Sequence, residues 1–157
     1  MANLILWRHA EAEVQSKSGA DFDRALTKSG HKDAAKMAKW LNQYLPANTE
    51  VFCSPAIRCL QTAAALQALS SINVEVVDYL SVESTPEMIA SKVSNDDSSR
   101  TILIIGHQPN LGRLITKLLG MNESACAVKK GAVWWLRQRV NEGVVQTYLY
   151  TVKHPNL

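Results

Sequence analysis

Apolar positions along the chain keep two rhythms. Leu4-Ile5-Leu6-Trp7, Val51-Phe52-Cys53 and Thr101-Ile102-Leu103-Ile104-Ile105 are short unbroken runs of strand length. Between them, Ala34, Met37, Ala38, Leu41 and Leu45 recur at i, i+3, i+4, i+7 and i+11, the spacing of one helix face. The pattern predicts a strand over 4–8, a helix over 29–44 and a strand over 50–53. Ser54-Pro55 reads as cap and first helical residue of a second helix that continues through the alanine-rich 62–69. A strand over 74–77 follows, then a short helix from Pro86 to about residue 93 behind the cap Thr85. Residues 95–100 read as a polar loop. The β-branched 101–105 run reads as a central strand buried on both faces, and a helix follows over 109–119. Segments 133–139 and 144–152 flank Asn141-Glu142-Gly143, a hairpin signal. Residues 11–27 are too charged for a core element.

Strand–helix alternation closing on a hairpin predicts an α/β fold. Its three layers are helix, sheet and helix, with a mostly parallel sheet and antiparallel strands at one edge. The length of 157 residues fits a single domain over 1–157 with a sizeable core. Composition adds little beyond exclusions. A net charge of +3, with no Lys/Arg block interleaved with aromatics, gives no nucleic-acid signature. No apolar stretch nears the roughly 20 residues a membrane helix needs. A signal peptide's basic and apolar segments are also missing, so the expected location is the cytoplasm. Cys53, Cys59 and Cys126 are odd in number and form no Cys-x-x-Cys, so reduced, mostly buried thiols are expected.

Chemistry gathers at predicted strand ends. The first strand ends in Arg8-His9, the second in Cys53-Ser54-Pro55 with Arg58 one turn onward, and the fourth in Gly106-His107. In open α/β sheets, ligands bind outside the carboxyl ends of the strands. Two guanidinium groups, two imidazoles and two helix N-termini therefore converge by topology, which describes a phosphate pocket.

Four motifs then carry a resemblance. Arg8-His9-Ala10 resembles the Arg-His-Gly signature of the histidine phosphatase superfamily, and Leu6-Trp7-Arg8-His9-Ala10-Glu11-Ala12 resembles the opening of its small SixA-type phosphohistidine phosphatases. Asp23-Arg24-Ala25-Leu26-Thr27-Lys28-Ser29-Gly30 resembles that group's Asp-x-x-Arg-Pro-Leu-Thr-x-x-Gly segment. Ser54-Pro55-Ala56-Ile57-Arg58-Cys59-Leu60-Gln61-Thr62-Ala63 resembles its Ser-Pro-x-x-Arg-Ala-x-Gln-Thr-Ala. Gly106-His107-Gln108-Pro109 resembles its Gly/Ser-His-x-Pro. Ala10 replaces the usual Gly, and Ala25 replaces Pro.

The resemblance implies a phosphoglycerate mutase-like fold and a hydrolase whose nucleophile is His9, forming a phosphohistidine enzyme. It implies that Arg8, Arg58 and His107 hold the phosphoryl oxygens. His9 must be neutral to attack, and the nearby guanidinium groups favour that form. A bound phosphate dianion would favour imidazolium at His107. No metal and no cofactor are called for. The partners expected are a phosphorylated histidine-containing protein and phosphate or another oxyanion.

Glu83 and Glu11 are candidate acids, and Arg24 is a candidate for the pocket mouth. Each reads equally well as a solvated loop residue. Ser54 is first an N-cap and only secondarily a residue that helps position phosphate, Gln61 and Thr62 read as plain helix filler, and His31 and His154 lie outside any motif. Without a convincing acid, imidazole, with pKa about 6.5, is a far better leaving group than an alkoxide. That favours phosphohistidine over sugar phosphates. Only 11–27 and 78–85 are available as walls, so the pocket should be open. A small-molecule phosphomonoesterase and a non-catalytic phosphohistidine-binding module are the alternatives. A cysteine phosphatase fails on spacing, because Cys53 and Arg58 enclose four residues rather than five. Trp134-Trp135 should place one ring on each sheet face, one packed in the core and the other a candidate docking surface. Arg113 and Lys117 read as a solvated helix face.

Overall fold

The structure, a computed structural model, describes residues 2–93, 99–122 and 124–157. Six strands form one sheet: β1 (Ala2–Arg8), β2 (Glu50–Cys53), β3 (Val74–Val76), β4 (Thr101–Gly106), β5 (Val133–Asn141) and β6 (Val144–Lys153). Their order is β3-β2-β4-β1-β5-β6. Pairing is parallel from β3 through β1 and antiparallel across β1-β5-β6. The expected parallel sheet with an antiparallel edge is therefore present.

Period-two alternation assigns the two faces. Ile5 and Trp7 of β1 pack with Leu103 and Ile105 of β4 against α1 (Lys28–Tyr44) and α2 (Ile57–Gln67). Leu4, Leu6, Ile102 and Ile104 pack on the other face against α3 (Pro86–Val93) and α4 (Asn110–Leu119). Every residue of β4 is buried, as its β-branched run requires. The α1 face is the one its spacing predicts: Ala34, Met37, Ala38 and Leu41 are all buried. Thr27 caps α1 by accepting from the Gly30 N–H at 2.9 Å. Glu142 and Gly143 turn the β5–β6 hairpin with φ of 52° and 78°, the left-handed pair that a two-residue turn of matching twist needs.

Several sequence expectations shift. Ser54-Pro55 does not start α2; the helix begins at Ile57 with Ala56 in the cap position. Ser54's hydroxyl lies 2.8 Å from His107 Nε2. Val77 falls just outside β3. Trp134 is half-buried against the α3/α4 layer, and Trp135 is buried on the opposite face, so neither ring is an open docking surface. The predicted loop over 95–100 lies mostly outside the described residues. Cys53, Cys59 and Cys126 form no disulfide among the described residues. No helix among the described residues is long and apolar enough to cross a membrane.

Candidate functional site

Arg8 is the last residue of β1 and Gly106 the last of β4, and the two are register partners. The next residues, His9 and His107, therefore leave adjacent parallel strands side by side. The His9 N–H donates to the Gly106 carbonyl at 3.1 Å, and the two imidazole rings lie 5.4 Å apart. β2 pairs with β4 on its other side, and Ser54 N–H donates to the Ile105 carbonyl at 3.0 Å. That places the Ser54–Arg58 segment against the same edge. Arg8, His9, Arg58 and His107 are thus one cluster, although 98 positions of sequence separate His9 from His107.

His9 Nδ1 lies 2.7 Å from the Ala10 carbonyl. A carbonyl only accepts, so the neutral ring carries its proton at Nδ1 and leaves Nε2 with a free lone pair. Burial pushes His9 down to about 4; Arg58, Arg8 and Arg24 add to this, and the Ala10 bond opposes it. A neutral imidazole follows at neutral pH. Burial also pushes His107 down, to about 3, with His9 and Arg58 contributing. This ring too is neutral in the structure; the imidazolium expected beside a phosphate dianion needs that dianion's charge. Arg8 is drawn below its ordinary value by burial and then by Arg58.

Three buried nitrogens of these side chains have no partner among the described residues: Arg8 Nε, Arg58 Nε and His107 Nδ1. Buried polar atoms in folded proteins are otherwise almost always paired, and an orphan costs roughly 1–3 kcal/mol. A bound oxyanion is the acceptor such nitrogens suit. Among the described residues, no group of three His, Cys, Asp or Glu side chains converges as a metal-binding set.

Surrounding bonds hold the cluster in place. Arg8 Nη1 donates to the Val128 carbonyl at 2.9 Å, and Gly131 N–H donates to the His9 carbonyl at 3.0 Å. Thr62, expected to be helix filler, accepts from the Ala10 N–H at 3.1 Å and donates to the Arg58 carbonyl at 2.7 Å. It ties the chain after His9 to the arginine. Gln61 accepts from the Leu26 N–H at 2.7 Å and anchors the 11–27 segment. The sequence reading also missed Asp21. Its carbonyl accepts from Arg58 Nη1 at 2.9 Å and its carboxylate from Arg58 Nη2 at 3.0 Å. Arg24 Nη1 binds the same carboxylate at 2.9 Å and holds it below its ordinary range, with Arg58 adding to the effect. The signal was present: an Asp three residues before Arg24 is Asp21, not Asp23.

The weaker candidates fall into different places. Arg24 is joined to Asp21 and, through Nε, to the Glu13 carbonyl at 2.6 Å, and its charge reaches His9. Glu11 accepts from the Thr27 hydroxyl at 2.8 Å at the start of α1. Glu83 is exposed on a loop whose neighbours Ser81 and Val82 accept from the Asn110 amide at 3.5 and 3.3 Å. Arg113 and Lys117 are exposed, as expected.

The chain is similar to known proteins. The family model of the histidine phosphatase superfamily, branch 1, matches residues 4–81. A phosphohistidine phosphatase SixA homolog of Haemophilus influenzae is 27% identical over 131 residues, 75% of this chain and 77% of the relative. An uncharacterized protein of Mycobacterium tuberculosis is 30% identical over 121 residues, 77% of this chain and 75% of the relative. The solved structure of the protein histidine phosphatase SixA complexed with tungstate has the same fold. Its TM-score is 0.82 at 21% identity, covering 98% of this chain and 97% of that chain.

Proposed function

Because the chain belongs to the histidine phosphatase superfamily, we propose that it hydrolyses phosphohistidine on phosphotransfer proteins, through a phosphohistidine formed at His9. The observation that carries this reading is the free Nε2 of a neutral His9 beside the three unpartnered nitrogens of Arg8, Arg58 and His107.

His9 Nε2 attacks phosphorus, and the substrate's N–P bond breaks with its electron pair going to the departing imidazole. A substrate ring protonated at its other nitrogen leaves as neutral imidazole and needs no donor. Arg8, Arg58 and His107 hold the phosphoryl oxygens, where the transition state gathers charge. The phosphoenzyme keeps its Nδ1 proton on the Ala10 carbonyl. When water attacks phosphorus, the Nε2–P bond breaks with its electron pair returning to His9, and both protons of the water leave on the phosphate.

Two features support a protein-borne substrate. The Arg58 guanidinium is approached from outside by Asp21 on a short exposed turn, rather than by a closing domain. Glu83 stands exposed in a loop and has no built connection to His9. Imidazole leaves without an acid, whereas an alkoxide with a conjugate acid near pKa ~16 does not. Such a reading sets the enzyme among phosphotransfer proteins of the cytoplasm, with no metal or cofactor in the reaction.

The test is turnover of a labelled phosphohistidine protein by wild type and His9→Ala, compared with small phosphoesters. Acid-labile label on His9 and selective loss of phosphohistidine are expected. Comparable turnover of a free sugar phosphate favours the small-molecule phosphomonoesterase, and binding without turnover favours the binding module.

A further inference from the structure

Ser54 is fully buried, and its hydroxyl lies 2.8 Å from His107 Nε2. The same oxygen accepts from the Ala56 N–H at 3.3 Å. A serine hydroxyl has one proton to give and lone pairs to receive with. One of its two lone pairs is used by Ala56. The remaining neighbours of its proton are His107 Nε2 and the Cys59 thiol, and sulfur is a weak acceptor.

His107 meets the groups that face it from every side. Ser54 and Cys59 approach from the β2–α2 segment, the Cys59 sulfur at 3.6 Å from Nε2. Arg8 and His9 lie at the end of β1, Arg58 on α2 and Asp21 on the mouth segment. Placing the His107 proton at Nε2 would turn it onto Ser54, leaving the buried hydroxyl with only the sulfur as acceptor. It would also leave Nδ1 as a bare lone pair, which repels a phosphoryl oxygen. Placing the proton at Nδ1 removes both conflicts.

We infer that Ser54 is a positioning residue that fixes the tautomer of His107: it donates its hydroxyl proton to Nε2, so the neutral ring presents Nδ1–H to the phosphoryl group. The inference rests on the phosphatase reading and deepens it. The second histidine then needs no positive charge to bind an oxyanion. It explains why Nδ1 is one of the three unpartnered nitrogens. It also explains why a residue with an N-cap signature stands where no helix begins. The Arg8 and Arg58 guanidinium groups oppose a cation at His107, and a neutral donor avoids that conflict.

Long-range ¹H–¹⁵N correlation spectra of the free wild-type protein test this without turnover. A protonated, pyrrole-type Nδ1 and an unprotonated, pyridine-type Nε2 are expected at His107. A proton at Nε2 overturns the inference, whatever the enzyme's substrate. Ser54→Ala should mix or reverse the tautomers and weaken tungstate binding about tenfold, the scale of one lost hydrogen bond to a charged group. Ser54→Thr, which keeps the hydroxyl, should restore both. An unchanged His107 spectrum in a folded Ser54→Ala protein also overturns it. Failure of the phosphatase reading looks different: the tautomer stands, but neither tungstate nor phosphohistidine is a ligand.

Discussion

Asp21 holds Arg58 at two points, its carbonyl on Nη1 at 2.9 Å and its carboxylate on Nη2 at 3.0 Å. The carboxylate thus occupies part of a guanidinium fork that suits a phosphoryl group, and its charge opposes an arriving dianion. Asp21→Asn keeps the shape and the carbonyl contact but removes the charge. Tungstate inhibition should tighten about three- to tenfold, since a partly exposed charge of this kind is worth roughly 1 kcal/mol. At the same time kcat should fall as Arg58 loses its anchor. Inhibition constants and kcat measured together check this; weaker inhibition would show that Asp21 only braces the arginine.

His9 should titrate far below a free histidine. Burial first, then Arg58, Arg8 and Arg24, hold it at about 4. An NMR titration of its ring should show a midpoint near that value, and Arg58→Ala should raise it. A wild-type midpoint close to 6.5, the ordinary histidine value, would contradict the electrostatic picture.

Stability should also fall on acidification. Both histidines have folded pKa values below their unfolded value of 6.5, at about 4 for His9 and about 3 for His107. Below 6.5 the unfolded chain takes up protons that the folded chain refuses, so stability rises with pH across this window. Their contribution is fully present above 6.5, is lost progressively as pH falls and levels off below the folded values. The loss should be on the order of a few kcal/mol by denaturant titration. His107→Gln should shrink the slope; an unchanged slope would place the pH dependence elsewhere.

Two glycines should respond in opposite ways. A Cβ on Gly30 would meet the Glu11 carbonyl oxygen at 2.0 Å, so α1 packs directly on the backbone two residues after His9. Gly30→Ala should cost about 1–3 kcal/mol and lower kcat, because backbone must move beside His9. Gly143 has open space around it but a φ of +78° in the distant hairpin. Gly143→Ala should cost about 1 kcal/mol and leave kcat unchanged. Denaturant melts and kcat for both variants separate the two cases.

What the sequence made legible was local and periodic. β1, β4 and the α1 face could be read because burial on both sides, or along one stripe, leaves its imprint in consecutive residues. The four clustered side chains could be read because strand ends share one edge. Ser54 was read first as a cap because that signature is local, while the His107 ring beside its hydroxyl lies 53 positions away. Thr62 and Gln61 likewise sit in ordinary helical sequence, and only the fold shows which loops they hold. The Val128–Gly131 contacts on Arg8 and His9 come from a segment with no periodicity to announce it.

The register of Arg8 with Gly106 has one more consequence. Both histidines are attached to the two innermost strands, which part only when the whole molecule opens. The mouth segment over 11–27 is held by side-chain bonds and one isolated bridge, Ala12 to Leu26, so it can breathe at much lower cost. Durability and choosiness therefore reside in separate parts of the chain. A substitution in that rim can therefore loosen the 11–27 segment while Arg8, His9 and His107 stay held by the core itself.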